Sequence, residues 1–356
     1  MNSLFEIGRT CWRLSRADSA HLLIDARDYY RAFYRAVLEA ERYVLIAGWQ
    51  FDSKVALLRG HDAQDAPLST ELLPFLEAVC RRKPELKVRI LAWDYSPVFA
   101  LEREWMQRVV FDWMTPKGIV FRFDGRHPTG ASHHEKLVIV DGRIAFLGGV
   151  DLARARWDDR EHRVRNPLRV EQGEPQKPYH DTMVAVSGPV VSDLEARFQA
   201  RWRAATDEAL DVPEPAPVFK HHQPSGALPI RHQEVAISRT GAAYDVDGAA
   251  CTEIRDLHQA AVLSAERLIY LETQYFTSRS MHDVLAERLS DRRRPVQAVL
   301  VMPRGADTPK EGVALGAAQT ELLASLEKVA EENGAELRIL FSGAPGTNGE
   351  IVPTFI

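Results

Sequence analysis

Two segments of this chain repeat each other, and the repeat restricts the possible folds more than any other feature. Residues 36–53 (AVLEAERYVLIAGWQFDS) and 261–278 (AVLSAERLIYLETQYFTS) are identical at eight of 18 positions, with an offset of 225 residues. Each runs from a helical pattern through Ala-Glu-Arg into a short apolar run typical of a buried strand. An internal duplication of one helix-strand unit is therefore expected.

Helical and strand patterns alternate along both halves of the chain, which predicts an α/β fold with helices packed on a sheet. In the first half we predict helices at 28–42, 72–80 and 102–114, and strands at 43–47, 87–93, 119–123 and 182–186. Ser192 and Glu195 have capping-box spacing and predict a helix from there to about residue 209. In the second half we predict strands at 296–302 and 336–343 around a helix at 313–332.

A proline-rich segment separates the two halves. Residues 211–230 contain five prolines, which neither a helix nor a central strand tolerates. We therefore predict a first domain at 1–210, a linker at 211–230 and a second domain at 231–356. The linker contains His221-His222 without a nearby acidic or cysteine partner, so no metal site is expected there.

The residues with chemical potential lie at a predicted hairpin. His134 and Lys136 are two residues apart and would project from the same face of a strand. Residues 137–140 continue this strand, Asp141-Gly142 supplies a two-residue turn, and 143–147 return. A neutral imidazole can attack phosphorus while a neighbouring ammonium neutralises the phosphoryl oxygens. This spacing favours phosphoryl transfer without a metal or cofactor.

These residues, together with two later segments, resemble the phospholipase D superfamily. The match is His-x-Lys-x-x-x-x-Asp at 134–141, six residues, and then Gly148-Gly149, as in the branch that cleaves phosphatidylcholine. The segment Tyr179-His180-Asp181 and residues 270–276 (YLETQYF) also look like that branch. The resemblance implies two tandem α/β/α sandwich domains, the second incomplete, and a phosphodiesterase acting on phospholipid at a membrane surface.

The resemblance also implies roles for residues of the motif. His134 would be the nucleophile that forms a phosphohistidine, and Lys136 would hold the phosphate. Asp181 is a candidate for orienting the imidazole, with a strand-edge aspartate as the equal alternative. Asp141 completes the catalytic motif, but its place in the turn predicts a structural role.

Four further residues are expected to bind substrate phosphate or line its site. Gly148 and Gly149 lack side chains where the second hairpin strand ends, so their backbone amides could approach an anion. Glu272 and Gln274 end a predicted strand, where ligands gather in α/β sheets, and are expected to line a cleft between the halves.

A second His-x-Lys-x-x-x-x-Asp motif is absent from this sequence. The duplication offset would place a counterpart of His134 near residue 359, past Ile356. In relatives with two motifs, the second histidine protonates the leaving alcohol. General acid catalysis contributes roughly 10²- to 10⁴-fold, so this chain alone is expected to be slow or inactive. Truncation and natural loss of the motif are both open.

Composition restricts the possible partners and cellular location of the protein. The chain has 45 Lys and Arg against 50 Asp and Glu, a net charge of −5, which argues against a surface built for wholesale electrostatic binding of nucleic acid. Three isolated cysteines indicate neither a disulfide framework nor a zinc site, and no apolar run is long enough to span a membrane. We expect a cytoplasmic protein that could bind peripherally to the inner face of the membrane.

The alternatives to a phospholipase D activity are a phosphatidyl transferase of the cardiolipin-synthase kind, a nucleic-acid phosphodiesterase, and a silent protein that binds phospholipid or phosphate.

Residues 154–177 are charged and rich in loop formers. Their Trp157 and His162 are expected either at a pocket rim or in an exposed irregular loop.

Overall fold

A computed structural model describes most of the chain. The described residues are 4–94, 117–210, 213, 224, 226–231, 234–242, 248–304, 309–346 and 351–354. The helix predicted at 102–114 and the His221-His222 pair lie outside them.

Helices and strands alternate as the sequence predicts. The helices in these ranges are α1 (Asp25–Glu39), α2 (His61–Gln64), α3 (Leu72–Arg82), α4 (Val190–Thr206), α5 (Glu253–Ser264), α6 (Arg279–Ser290) and α7 (Pro309–Asn333). The strands are β1 (Arg13–Arg16), β2 (Ser19–Ile24), β3 (Tyr43–Gly48), β4 (Lys87–Trp93), β5 (Ile119–Asp124), β6 (Lys136–Val140), β7 (Ile144–Gly148), β8 (Val170–Glu171), β9 (Glu174–Pro175), β10 (Thr182–Ser187), β11 (Leu228–Pro229), β12 (Glu234–Ile237), β13 (Thr240–Gly241), β14 (Cys251–Thr252), β15 (Leu268–Glu272), β16 (Gln297–Val301), β17 (Glu336–Leu340), β18 (Gly343–Pro345) and β19 (Ile351–Pro353).

The larger sheet has helices on both faces. Within the described residues its strand order is β11-β2-β10-β7-β6-β3-β4-β5. Strands β3, β4 and β5 are parallel, whereas β6 and β7 form the predicted antiparallel hairpin, which pairs with β3 on one side and β10 on the other. Apolar residues of α1 and α3 cover one face, and those of α4 cover the other. The hairpin therefore lies near the middle of a layered α/β unit.

Helix α1 shows how the pattern determines the packing. Phe33, Tyr34 and Val37 lie three, four and seven residues after Tyr30, and all four are buried. The helix ends at Glu39, and every residue of β3 after it is buried, as expected for a central strand that is covered on both faces.

The smaller sheet repeats the parallel part of the larger one. Strands β15, β16 and β17 are parallel and adjacent in the same order as β3, β4 and β5. Apolar residues of α5, α6 and α7 pack with them in one cluster. The start of β15 at Leu268 is 225 residues after the start of β3 at Tyr43, the offset of the sequence repeat.

The end of the predicted linker contributes to the larger sheet. Leu228 and Pro229 form the short strand β11, which pairs with β2 at the edge of the sheet. An edge strand tolerates proline because one side of its backbone needs no ladder hydrogen bond. The domain boundaries themselves stay a prediction.

Two local predictions are wrong. Helix α4 begins at Val190 without a side-chain cap, so Ser192 lies inside its first turn; Pro189 already has helical angles (φ −54°, ψ −31°) and starts the helix. Glu195 instead accepts a hydrogen bond from the Tyr43 hydroxyl at 2.9 Å. Trp157 is neither exposed nor at a rim: it is 2% exposed, with the Arg59 guanidinium 4.8 Å from its ring centroid.

Candidate active site

His134 lies just before β6, where its imidazole remains accessible. The residue keeps exposed surface, and the Trp49 ring stands edge-on at 6.0 Å between centroids. Removal of water by the surrounding protein lowers the pKa of the imidazole to about 4, and the positive charge of Lys136 acts in the same direction. The ring is therefore neutral at pH 7, the form in which a ring nitrogen can act as a nucleophile.

The preceding histidine has a different environment. His133 is largely buried, with its Nε2 3.3 Å from Oδ1 of Asp124. Oδ2 of Asp124 accepts two hydrogen bonds from Arg201, which is itself buried. Because adjacent residues of an extended segment point to opposite faces, the packing of His133 leaves His134 on the accessible side.

Lys136 is held in place by an acidic partner that the sequence analysis did not identify. Its ammonium is buried, lies 3.2 Å from Oδ2 of Asp151 and donates to the backbone carbonyl of His134 at 3.0 Å. Burial lowers the pKa of Lys136, while the charge of Asp151 opposes that effect. Oδ1 of Asp151 accepts from the backbone N–H of Trp49 at 2.9 Å. The ammonium is thus fixed beside the histidine backbone.

Asp141 is positioned to support the backbone at the opposite end of β6. Its carboxylate is fully buried and accepts from the backbone N–H groups of Glu41, Arg42 and Tyr43 at 2.8 to 2.9 Å. It therefore connects the hairpin turn to the start of β3. With the whole of β6 between it and His134, the carboxylate is placed for a structural role.

The glycine pair allows a close approach of β10. A Cβ on Gly148 would lie 2.3 Å from the carbonyl oxygen of Thr182, and one on Gly149 would lie 2.1 Å from Oδ1 of Asp181. The Gly149 N–H donates to the Thr182 carbonyl at 3.0 Å. That amide is therefore committed to the strand pair, contrary to the expectation that it would bind an anion.

Asp181 lies beside the motif without touching its imidazole. Oδ1 accepts from the backbone N–H of Thr182 at 2.7 Å, and Oδ2 lies 3.4 Å from the Tyr179 hydroxyl. Burial raises the pKa of Asp181, an effect that the nearby Lys136 ammonium opposes. Among the described contacts of Asp181 there is no hydrogen bond to His134, so its orienting role stays a prediction.

Glu272 and Gln274 are placed differently with respect to these residues. Glu272 is the last residue of β15, and its Oε1 lies 3.9 Å from Nε2 of His180, next to Asp181 in sequence. The second half of the chain thus reaches the Tyr-His-Asp segment. Gln274 is half-buried two residues beyond the strand.

A second group of ionisable residues adjoins this segment, and sequence reasoning missed it. Ligand atoms of Asp25, His162 and His180 all lie within 4.8 Å of one another. His180 Nδ1 is 2.7 Å from Oδ1 of Asp25, and that hydrogen bond raises the pKa of His180. Asp25 is 137 residues from His162. No local spacing could have signalled the group, although one of its members, His162, lies in the charged segment 154–177 that the sequence singles out.

Comparison with known proteins identifies the family. A family model described as phospholipase D matches residues 123–291, which include the motif and the Tyr-His-Asp segment. Phospholipase D alpha 4 of Arabidopsis thaliana is 25% identical over 306 residues, covering 72% of this chain and 39% of that protein. The chain belongs to the phospholipase D superfamily. Phospholipase D C of Dictyostelium discoideum is 27% identical over 216 residues, covering 53% of this chain and 13% of that protein.

One solved structure shares the fold over most of the chain. Phosphatidylserine synthase from Haemophilus influenzae Rd KW20 superimposes with a TM-score of 0.58 at 11% identity, covering 93% of this chain and 74% of that one. The present chain, a member of the phospholipase D superfamily, covers at most 39% of the length of the Arabidopsis and Dictyostelium relatives given above. None of the helices in the described ranges combines the length and apolar character needed to cross a bilayer.

Proposed function

We propose that this chain is a phospholipase D-type phosphodiesterase that hydrolyses or exchanges the head group of glycerophospholipids at a membrane surface. The observation that carries the proposal is the placement of His134: its imidazole is accessible and has a lowered pKa, and its backbone carbonyl accepts a hydrogen bond from the buried, oriented ammonium of Lys136. Family membership and the names of the relatives support the same chemistry.

In the first step, a ring nitrogen of His134 attacks the phosphorus of the phosphodiester. The N–P bond forms as the bond between phosphorus and the head-group oxygen breaks, and the departing alkoxide takes up a proton from solvent water. Lys136 has three N–H donors, of which Asp151 and the His134 carbonyl engage two. The third can reach a phosphoryl oxygen and neutralise its charge.

In the second step, water or another alcohol attacks the phosphohistidine and the N–P bond breaks. Water gives phosphatidic acid, whereas an alcohol gives a new phosphatidyl ester. His134 is the nucleophile in this proposal and Lys136 the phosphate clamp, while Asp181 orients the imidazole once substrate has bound. Gly148 and Gly149 bring β10 and Asp181 close to the motif. Asp141 supports the hairpin from its far end.

We also infer that the second half is a partial counterpart of the first. The matching order of β15-β16-β17 and β3-β4-β5 supports two tandem sandwich domains. In such a pair Glu272 and Gln274, at the carboxyl end of β15, line the cleft between the halves. The leaving alkoxide needs an acid, and the 356 residues contain a single His-x-Lys-x-x-x-x-Asp motif. We therefore expect turnover of this chain to be slow.

The test is a head-group exchange assay with the purified chain and phosphatidylcholine vesicles containing 1-butanol. Phosphatidylbutanol is expected as product, because only a phosphatidyl-enzyme intermediate partitions between water and an alcohol. Acid-quenched protein incubated with lipid labelled at phosphorus should retain label, so the covalent step is visible even when turnover is slow. His134→Ala should abolish both signals, whereas His258→Ala, an exposed histidine on α5, should leave both unchanged.

Other outcomes would identify the alternatives. Conversion of phosphatidylglycerol to cardiolipin would favour a phosphatidyl transferase, and cleavage of DNA would favour a nucleic-acid phosphodiesterase. Binding of vanadate or of lipid vesicles by the wild-type chain, with no label and no product, would indicate a silent binding protein. Full labelling of His134→Ala would overturn the proposal.

A further inference from the structure

Three side chains outside the phosphodiesterase motif converge on one point. Asp25 begins α1, His162 lies in the loop between β7 and β8, and His180 directly precedes Asp181 and β10. Their ligand atoms lie within 4.8 Å of one another, and Nε2 of His162 is 3.3 Å from Oδ2 of Asp25. Two imidazoles and one carboxylate form a common donor set for divalent transition metals.

The carboxylate at the centre of this group is only half satisfied by the protein, because Oδ1 accepts a hydrogen bond from Nδ1 of His180 at 2.7 Å. Asp25 is 1% exposed, and its Oδ2 has no hydrogen-bond partner among the described residues, since the contact with His162 lacks hydrogen-bond geometry. A buried, unpaired carboxylate oxygen costs free energy unless something compensates its charge. A cation between Oδ2 and the two rings would supply that compensation.

The outward nitrogen of each histidine faces an acidic side chain. Nδ1 of His162 is 3.1 Å from Oδ2 of Asp158, and Nε2 of His180 is 3.9 Å from Oε1 of Glu272. Asp158 is itself fixed by two hydrogen bonds from the buried Arg169, at 2.8 and 2.9 Å. Histidines that bind metals usually donate their second N–H to a carboxylate, which orients the ring and directs the free nitrogen to the metal.

We propose that Asp25, His162 and His180 bind a divalent metal ion of the zinc class. The ligand atoms are Oδ2 of Asp25, Nε2 of His162 and Nδ1 of His180, and a fourth position is open to water. Zinc-ligand distances of about 2.0–2.2 Å in a tetrahedral site place the ligand atoms roughly 3.3–3.5 Å apart. The 3.3 Å between Asp25 and His162 already meets this spacing. Metal binding replaces the hydrogen bond between His180 and Asp25.

The ion would join three segments that are distant in sequence and close to the motif. It connects the start of α1, the 154–177 loop and the start of β10. His180 is the neighbour of Asp181, whose carboxylate packs against Gly149. The metal therefore has a positioning role for Asp181 and takes no part in the phosphoryl-transfer steps. The site does not depend on the proposed function, because its residues and its readout are separate from the reaction.

The experiment titrates the metal-stripped full chain with Co²⁺ and with Zn²⁺. Co²⁺ should bind at about one equivalent per chain and give the visible absorption bands of a low-symmetry site with nitrogen ligands. Zn²⁺ should displace it and raise the unfolding temperature. His162→Ala and Asp25→Asn should each weaken Co²⁺ binding at least about 10-fold, the usual minimum effect of disturbing such a site. Circular dichroism would establish that each variant is folded.

Two matched controls separate this site from adventitious binding. His258→Ala removes an exposed histidine of α5, and the double variant His221→Ala/His222→Ala removes the adjacent pair in the proline-rich segment. Both should bind Co²⁺ like the wild-type chain. Absence of stoichiometric binding by the wild-type chain would overturn the proposal, whichever variants fold. Retention of the absorption bands in folded His162→Ala, or their loss in the double variant, would also overturn it.

Discussion

The ammonium of Lys136 lies 3.2 Å from the carboxylate of Asp151, and both side chains are almost completely buried. Fifteen residues separate the two in sequence, and the hairpin formed by β6 and β7 brings them together. An ammonium kept out of water needs a partner of opposite charge. Asp151, which lies outside the His-x-Lys-x-x-x-x-Asp motif, thus supplies the counter-charge of the Lys136 ammonium and holds it in position.

Removal of Asp151 should therefore destabilise the fold. Asp151→Ala leaves the Lys136 ammonium buried without its counter-charge, which typically costs about 3–5 kcal/mol. It should also lower the pKa of Lys136 further, because burial then acts unopposed. Urea denaturation would measure the loss in free energy of unfolding.

An exposed ion pair provides the control for this variant. Lys328 and Glu332 lie 3.8 Å apart on α7, with side chains 74% and 61% exposed. Glu332→Ala should change stability by less than about 1 kcal/mol, because water screens such pairs. Similar losses in both variants would show that the Lys136–Asp151 pair is not an effectively buried pair.

Asp141 should be needed for folding more than for chemistry. Asp141→Ala removes the acceptor of three backbone N–H groups, and we expect a loss of about 2–4 kcal/mol. Asp141→Asn should lose less, because asparagine keeps one acceptor oxygen and tolerates the positive φ of 52° at this position. Chemical denaturation gives the stabilities, and phosphate labelling per folded molecule should be unchanged in Asp141→Asn. A selective loss of labelling with normal stability would contradict the structural role.

The hairpin was predictable because its signals are local. A period of two predicted one face for His134 and Lys136, and an apolar run marked the buried strand. Asp141-Gly142 marked the turn, but the predicted length of two residues is wrong, because Val140 pairs with Ile144 and the turn therefore has three residues, 141–143. Strand β4 has the predicted bounds, and the repeat between β3 and β15 anticipated their equivalent places in two sheets.

Long-range pairings could not be predicted in the same way. Asp151 as partner of Lys136 follows from the pairing of β6 with β7, and the convergence of Asp25 with His162 depends on the complete chain path. The burial of Trp157 could not be predicted for a related reason. Its loop is rich in charge, but Arg59 stacks on the ring and bonds the carbonyl of Leu168, so the polar surroundings are themselves buried.

Gly149 should tolerate no side chain. A Cβ there would lie 2.1 Å from Oδ1 of Asp181, so Gly149→Ala must displace the Asp181 carboxylate. We expect a loss of about 1–3 kcal/mol, typical of overpacking, together with reduced phosphate labelling. The same change at Gly316 in α7 meets no atom within 4 Å and should stabilise by about 0.5–1 kcal/mol. Thermal unfolding of both variants would decide, and equal effects would contradict the close approach.

The pKa values of two histidines of this region are shifted in opposite directions. Removal of water by the surrounding protein lowers the pKa of His134 from 6.5 to about 4, whereas the hydrogen bond to Asp25 raises that of His180. A lowered pKa means that the unfolded chain binds the proton more readily. The contribution of His134 to stability is thus present above about pH 6.5 and is lost as the pH falls towards 4. The contribution of His180 is present below pH 6.5 and is lost as the pH rises through its raised pKa.

Nitrogen-15 NMR of the metal-free chain at pH 6 should show a neutral His134 and a protonated His180, with His134→Ala and His180→Ala assigning the signals. A protonated His134 at that pH would remove the basis for its role as a nucleophile.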